Sequence, residues 1–391
     1  MRQVWTKRSI RQAIREVKEF EWEGDYRPAA RAALKEILEK RMVTFLDEYL
    51  MEVEELGIED RRNGSYKRHI LTEMGDVVLA VVRTRTMSAN EVVKACARRS
   101  SSVDRLILGC FTLGLSTRKV GEALLPLLGE RVSASTVSRV AKQLDASVAA
   151  YHRRPLENRY RFLIFDGVVL KKKTGAGSAK RVVLVALGIT PEGKKAVIDF
   201  RLAPGESQEA WESFFSDLYQ RGLTGEGVEL IVVDGGKGLL AACGLVYSSI
   251  PIQRCWAHKD RNVLSYIRKA DYDAVKKDLH KISHARRLKE AEKMFRAFVF
   301  RWSREYPKAV ECLRKDIDDL LTFFEVPDPN VWNQIRTTNA IERRFEEVRR
   351  RTRPMGVLSD RTSMERILYA VFTYENWKEG TRTPLLLTQN Y

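Results

Sequence analysis

The chain has 391 residues, long enough for two or three domains with a substantial core. Its net charge of +17 favours an acidic polymer as partner, most simply nucleic acid. Five scattered cysteines (Cys96, Cys110, Cys243, Cys255 and Cys312) lack paired spacing, which argues against a disulfide framework and for a reducing compartment. With no signal-peptide core after Met1 and no apolar run of spanning length, a cytoplasmic protein without membrane association is expected.

Residues 1–26 are basic and weakly amphipathic and read as an arm or loosely held helix. From Pro28 to Leu56, the apolar residues Leu34, Leu38, Met42, Phe45, Tyr49, Val53 and Leu56 recur at spacings of three and four. This predicts a helix stopped at Gly57. Its stripe serves either a dimer seam or packing within its own chain. Arg61 to His69 forms a basic turn before a strand over Asp76–Arg85; this is a phosphate contact or a solvated hairpin.

The segment 103–146 is predicted helical, with a break over Gly129–Ser133 and a following helix over Ala134–Leu144. Ser133 is a natural N-cap and Val137, Val140 and Leu144 form the buried face, leaving Ser135, Thr136, Ser138, Arg139 and Lys142 outward. Two helices across a tight turn fit a helix-turn-helix whose second helix enters the major groove of double-stranded DNA. The alternative is an ordinary trihelical core, and Pro126 sits awkwardly near the end of the first helix.

Strands follow over Arg161–Leu170, Arg181–Gly188 and Lys195–Arg201, an antiparallel meander. Ser207 caps a helix to Leu223, and the run Glu229–Val233 delivers Asp234 to a strand end. This order belongs to an α/β layered domain with a mixed sheet. After Cys255-x-x-His258 the chain is helical to Phe324, Val326–Pro329 closes that block, and a final helical segment carries Thr337-Thr-Asn339-Ala-Ile-Glu342.

A carboxylate inside an apolar strand, as at Asp166, is expensive unless paired or bound to metal. Asp166 and Asp234 on neighbouring strands would meet over one end of the sheet as hard oxygen ligands for Mg²⁺, with Mn²⁺ as substitute. Two such ions about 4 Å apart support in-line phosphoryl displacement. A third carboxylate is needed, and Glu342 is the best candidate, in competition with Glu346 and Glu347. Each acid has an ordinary reading: Asp166 paired with a lysine of the adjoining turn, Asp234 in a strand-terminal turn, Glu342 in a surface ion pair with Arg343, Arg349 or Arg350. The arginines Arg343, Arg344, Arg349, Arg350, Arg351 and Arg353 suggest a clamp on the DNA backbone, against the alternative of a solvated face.

Phe165-Asp166-Gly, Val233-Asp234-Gly-Gly-Lys-Gly-Leu, Gln253-Arg-Cys255-Trp-Ala-His258-Lys-x-Arg-Asn262 and Thr337-Thr-Asn339-Ala-Ile-Glu342 stand in an order that resembles the bacterial mutator-type insertion-sequence transposases, of the DDE group. The Ser116-Thr-Arg and Ser133–Arg139 segments match the family's upstream helix-turn-helix, and the likeness runs from about residue 60 to 380. It implies an RNase H-like catalytic domain with a mixed five-stranded sheet and an all-α insertion, preceded by an α-helical region containing the helix-turn-helix. On that reading 1–60 is a helical or dimerisation region, 61–100 a basic strand and linker region, and 101–155 the helix-turn-helix domain. Residues 156–268 and 331–391 form the catalytic domain around an insertion at 269–330. The resemblance further implies Asp166, Asp234 and Glu342 as ligands of two Mg²⁺ ions, with Cys255 and Asn339 beside them and His258 at the scissile phosphate or orienting a carboxylate. It implies an enzyme that binds terminal inverted repeats, cleaves strands and joins 3′-hydroxyl ends to target DNA, as a homodimer or larger assembly in the bacterial cytoplasm at the nucleoid.

Other uses stay open. Cys255 and His258 could bind zinc with His280 or His284, act in cysteine chemistry, or be structural. Trp256 is expected in the core, and Trp302 and Trp332 in the core or stacked on an unpaired base. A nuclease of the same fold without strand joining, and a non-catalytic DNA-binding regulator, are the rival functions.

Overall fold

A computed structural model describes residues 26–93, 98–174, 177–352 and 361–381. They divide into two units, Met1–Ile107 with Arg118–Thr136 and Leu108–Thr117 with Val137–Tyr391. The basic arm up to residue 25, Cys96 and Arg353 lie outside the described residues. Among the described residues, no helix is long and apolar enough to cross a membrane.

In the first unit Pro28, in the first turn, starts helix α1 (Arg27–Glu55). Its Met42 forms a core with Ile70, Val77, Leu79, Val81 and Ala89, against which Leu34, Leu38 and Phe45 pack. Part of the apolar stripe of α1 thus packs within its own chain, while Leu56 at its end is exposed. The covered element is an antiparallel hairpin of β1 (Arg62–Thr72) and β2 (Gly75–Thr84), in register Ile70↔Val77 and Thr72↔Gly75. Residues Arg62–Lys67 of β1, the basic end of the hairpin, are exposed.

Helices α2 (Ser101–Thr112), α3 (Thr117–Leu128), α4 (Ala134–Ala141) and α5 (Leu144–Arg153) follow. Pro126 lies inside α3 and does not end it; the helix stops at Gly129, whose φ of +74° suits glycine. The Arg27 guanidinium donates to the free carbonyls of Pro126 and Leu127 at 3.4 and 3.2 Å. The turn before α4 is tight: Ser133 Oγ accepts from the Thr136 N–H at 3.2 Å, and a Cβ on Gly121 would lie 2.2 Å from the Val132 carbonyl oxygen. Gly121→Ala is therefore expected to cost about 1–3 kcal/mol by overpacking. Circular-dichroism melting checks it, and an unchanged melt would contradict the close approach.

The second unit is built on a five-stranded sheet in the order β5-β4-β3-β6-β7. β3 (Phe162–Thr174), β4 (Gly177–Ile189) and β5 (Lys195–Ala203) form the antiparallel meander, and β6 (Leu230–Val233) and β7 (Ile252–Arg254) join parallel to β3. Helix α6 (Gln208–Gln220), capped by Ser207, and helix α7 (Lys237–Val246) cover one face. There Trp211, Phe214, Phe215 and Leu218 join Leu163, Phe165, Ile231 and Val233 in one core. On edge strand β5, Phe200 meets Tyr151 of α5 and Phe372 of helix α15 (Arg361–Lys378). The Asn376 amide closes that edge, accepting from the Val197 N–H at 2.8 Å and donating to its carbonyl at 2.9 Å.

After helix α8 (Trp256–Leu264) come α9 (Tyr272–Ser283), α10 (Leu288–Trp302), α11 (Pro307–Arg314), α12 (Ile317–Leu321) and the one-turn α13 (Trp332–Ile335). This helical block is tied to the sheet by buried polar contacts. Gln253 and the Trp256 indole both donate to the Leu320 carbonyl, at 3.0 and 2.7 Å. Asp316 bridges Lys259 and Arg254. Trp256 and Trp302 are core residues, the latter donating to Asp278 at 3.1 Å, and partly buried Trp332 donates to the Val326 carbonyl at 2.9 Å.

Candidate active site

The pairing of β3 with β6 sets Phe165 against Val233, so Asp166, next in β3, and Asp234, just past the end of β6, follow one step on. Phe165 faces the core under α6 and α7; strand alternation therefore turns Asp166 to the opposite face. Helix α14 (Asn339–Thr352) lies there against β3 and carries Glu342 in its first turn. Asp166 is 2% exposed. Asp234 begins a tight turn, its Oδ1 accepting from the Gly236 N–H at 2.9 Å. Gly235 is needed there for its φ of +90°, and the Arg254 guanidinium donates to its carbonyl at 3.1 Å.

Burial pushes the Asp166 carboxyl up to about 8, against the lowering effect of a hydrogen bond from the Thr338 hydroxyl; the negative charges of Asp234, Glu342 and Glu206 raise it further. Among the described residues, the charges that act on it are those of other carboxylates. The side chains of Lys171–Lys173, the alternative partner, lie outside the description. Glu206 has no distinguishing pattern in the sequence. It reaches over Gly167, where a Cβ would lie 2.6 Å from Glu206 Oε1, and its carboxyl is raised by burial and by Asp234.

Of the three competing glutamates, Glu347 is committed to Arg350 and Arg351 at 2.9 and 2.8 Å, and Glu346 is exposed. The charge of Glu342 reaches both Asp166 and His258. Its Oε1 accepts from Arg261 at 2.7 Å, and among the described residues no three His, Cys, Asp or Glu side chains converge as a metal-ligand cluster. The donor set nevertheless suits a hard divalent cation: carboxylate oxygens, one of them deeply buried, repel one another without a neutralising charge.

A pH dependence follows. The folded Asp166 binds its proton more tightly than the unfolded chain, whose carboxyl titrates near 4. Without divalent cation, stability should therefore fall as pH rises from about 4 towards 8. Asp166→Asn should flatten that fall and raise the melting temperature at pH 8. Thermal melts in EDTA check both, and an unchanged slope in the variant would contradict the assignment.

Cys255 and His258 flank the start of α8. Cys255 is buried and its Sγ accepts from the Thr338 N–H at 3.2 Å; burial, partly countered by that bond, raises its thiol. His258 Nδ1 lies 3.5 Å from Thr338 Oγ1, and burial first, then Arg261, lowers its imidazole. His280 and His284 stack on each other, with ring centroids 3.4 Å apart. Asn339 is exposed at the start of α14.

The arginine cluster is not uniform. Arg344 turns into the fold, bonding Glu375 and Glu379 at 3.1 and 3.0 Å, and Arg351 is 3% exposed with its guanidinium over Tyr374. These two are committed to packing α14 on α15, which corrects the reading of Arg344 as a DNA contact. Arg343 and Arg350 are exposed and Arg349 is partly so. On α4, Ser135, Ser138 and Arg139 are exposed and Thr136 is partly so; Lys142, just beyond its end, is exposed.

Comparison with known proteins identifies the family. The family model described as Transposase, Mutator family matches residues 3–380. The chain is 33% identical over 361 residues to the transposase for insertion sequence element ISRM5 of Rhizobium meliloti, covering 91% of this chain and 89% of that protein. It is 30% identical over 358 residues to the transposase for insertion sequence element IS905 of Lactococcus lactis, covering 91% and 90%. Among solved structures, the Drosophila P element transposase strand transfer complex aligns at 10% identity with a TM-score of 0.28, over 74% of this chain and 83% of that one.

Proposed function

Because the chain belongs to the Mutator family of transposases, we propose that Asp166, Asp234 and Glu342 form the catalytic centre of a DDE-type enzyme that cuts transposon ends and joins them to target DNA. The observation that carries this reading is the parallel register of β3 and β6, which sets Asp234 beside a buried Asp166 whose carboxyl is raised further by Asp234, Glu342 and Glu206. The domain is read as RNase H-like, with residues 269–330 as its insertion. Helices α3 and α4 are read as the helix-turn-helix for the terminal inverted repeats, with Ser135, Thr136, Ser138, Arg139 and Lys142 towards the DNA. Exposed Arg343 and Arg350 and partly exposed Arg349 contact backbone phosphates, and Arg353 belongs to the same basic segment.

Asp166, Asp234 and Glu342 would hold two Mg²⁺ or Mn²⁺ ions, which when bound activate the attacking oxygen and stabilise the leaving one. In the first displacement a water oxygen attacks the phosphorus at the transposon end and the 3′-oxygen leaves as a hydroxyl. In the second that hydroxyl attacks a target phosphodiester, forming one phosphodiester bond for the one broken. Glu206, beside Asp166, adds negative charge that strengthens cation binding. His258, half-buried against Thr338, faces the same centre and contacts the scissile phosphate or orients a carboxylate. The working form is a homodimer or larger assembly on paired ends, in the bacterial cytoplasm at the nucleoid.

Pre-cut terminal repeats with a free 3′-hydroxyl, incubated with Mn²⁺ and a supercoiled plasmid, test the reading. Covalent joining of ends to the plasmid is expected. Nicked plasmid without joined ends would show a nuclease instead.

A further inference from the structure

Helix α10 (Leu288–Trp302) turns Ala291, Phe298 and Trp302 into the helical block. Its opposite face carries Phe300, which is 90% exposed. At about 3.6 residues per turn, Lys289, Lys293, Arg296 and Arg304 stand within about 40° of Phe300 around the helix axis, on a line about 22 Å long. Ser303, just past α10, keeps helical φ and ψ of −63° and −32°, so Arg304 continues that line. All four cations are exposed, and among the described residues none has an ion-pair partner. Arg301, off the line, does have one: it bonds Asp278 at 3.0 Å and lies over Trp302. The acids of the helix stand aside, Glu290 and Glu292 about 80° to either side of Phe300, and Glu290 accepts from the Arg286 N–H at 2.9 Å.

A row of exposed cations alone is an ordinary solvated helix face. An almost fully exposed phenylalanine among them is not, because its ring favours burial. Four cations without internal partners suit a polyanion. Duplex DNA presents base edges in its grooves, whereas an unpaired strand also offers base faces, on which an aromatic ring stacks. We infer that α10 is a track for a single DNA strand: Phe300 stacks on an unpaired base while Lys289, Lys293, Arg296 and Arg304 meet the phosphates to either side. A second copy of this chain is disfavoured as the occupant, because it carries the same net charge of +17 and would bring cations towards cations. None of these residues belongs to the carboxylate group or to the proposed helix-turn-helix. The inference rests on the proposed function only for the source of such strands, the ends opened by cleavage.

Fluorescence polarisation of the full-length protein in EDTA, with a labelled oligothymidylate of about 20 nucleotides, tests it. Phe300→Ala should bind about 5- to 100-fold more weakly, and Phe300→Trp, which keeps a ring, within about threefold of the unsubstituted protein. Phe300→Leu stays apolar but has no ring face, so it should bind as weakly as the alanine variant. Replacing Lys289, Lys293, Arg296 and Arg304 together by alanine should lower the slope of log affinity against log salt by about 3, at about 0.7 for each phosphate contact. Binding of duplex terminal repeats by Phe300→Ala should be unchanged. Oligothymidylate affinity of Phe300→Ala within about twofold of the unsubstituted protein overturns the inference. Loss of self-association in Phe300→Ala, with strand binding intact, overturns it in favour of a second copy. If the unsubstituted protein binds duplex repeats but no oligothymidylate, only the strand track falls; if it binds neither, the proposed function falls with it. Should a Phe300 variant fail to fold, the salt slope of Arg296→Ala decides: a fall of about 0.7 supports the track, and an unchanged slope overturns it.

Discussion

Asp166→Ala is expected to lower Mn²⁺-dependent cleavage of terminal-repeat DNA by at least about 10³-fold and to leave repeat binding within a few-fold. A bound cation contributes several kcal/mol of charge stabilisation to the phosphoryl-transfer transition state, and each 1.36 kcal/mol is a factor of ten. Asp166 is the buried member of the acidic group, so no solvent-exposed carboxylate replaces it. Binding should persist because the residues assigned to repeat recognition, Ser135 to Lys142, lie on and just after α4, outside the carboxylate cluster. Glu342→Gln should give the same split between cleavage and binding. Gel-shift and cleavage assays on one preparation measure both, and a variant that still cuts at a tenth of the normal rate would remove Asp166 from the centre.

Asp316→Ala should be the most destabilising single change in the helical block, at roughly 3–5 kcal/mol. Lys259 is 5% exposed and Asp316 8%, and the carboxylate bonds both Lys259 and the Arg254 guanidinium. Removing it leaves a buried ammonium with the Cys312 carbonyl at 3.3 Å as its remaining oxygen partner, and frees Arg254. Arg254 also donates to Gly235, next to Asp234, so the loss should reach the proposed centre as well as the helical block. In a domain of this size each kcal/mol moves the melting temperature by about 2–4 °C, so a fall of roughly 6–20 °C is expected. A fall under 2 °C would mean that water reaches Lys259 freely.

Much of the sheet and its covering helices was legible because local rules act there. The alternation and turns of Arg161–Arg201 foretell the meander, and Ser207 does cap its helix. Asp166 stood out because an acid inside an apolar run needs a reason, and the register sets it beside Asp234. Contacts between distant segments carried no local signal. The Arg261–Glu342 pair, the Thr338–Cys255 contact and the approach of Glu206 to Gly167 depend on how loops return to one sheet end. The arginines of α14 show the same limit, because Glu375 and Glu379, which take up Arg344, belong to the next helix. Nothing local to α1 told that the hairpin packs against its Leu34, Leu38, Met42 and Phe45.

The most direct test of the central claim is anomalous diffraction at the manganese edge from crystals grown with Mn²⁺. The proposed centre predicts Mn²⁺ bonded to Asp166 and Asp234, with Glu342 released from Arg261 to join them. Mn²⁺ sites remote from Asp166, with Glu342 still held by Arg261, would contradict it.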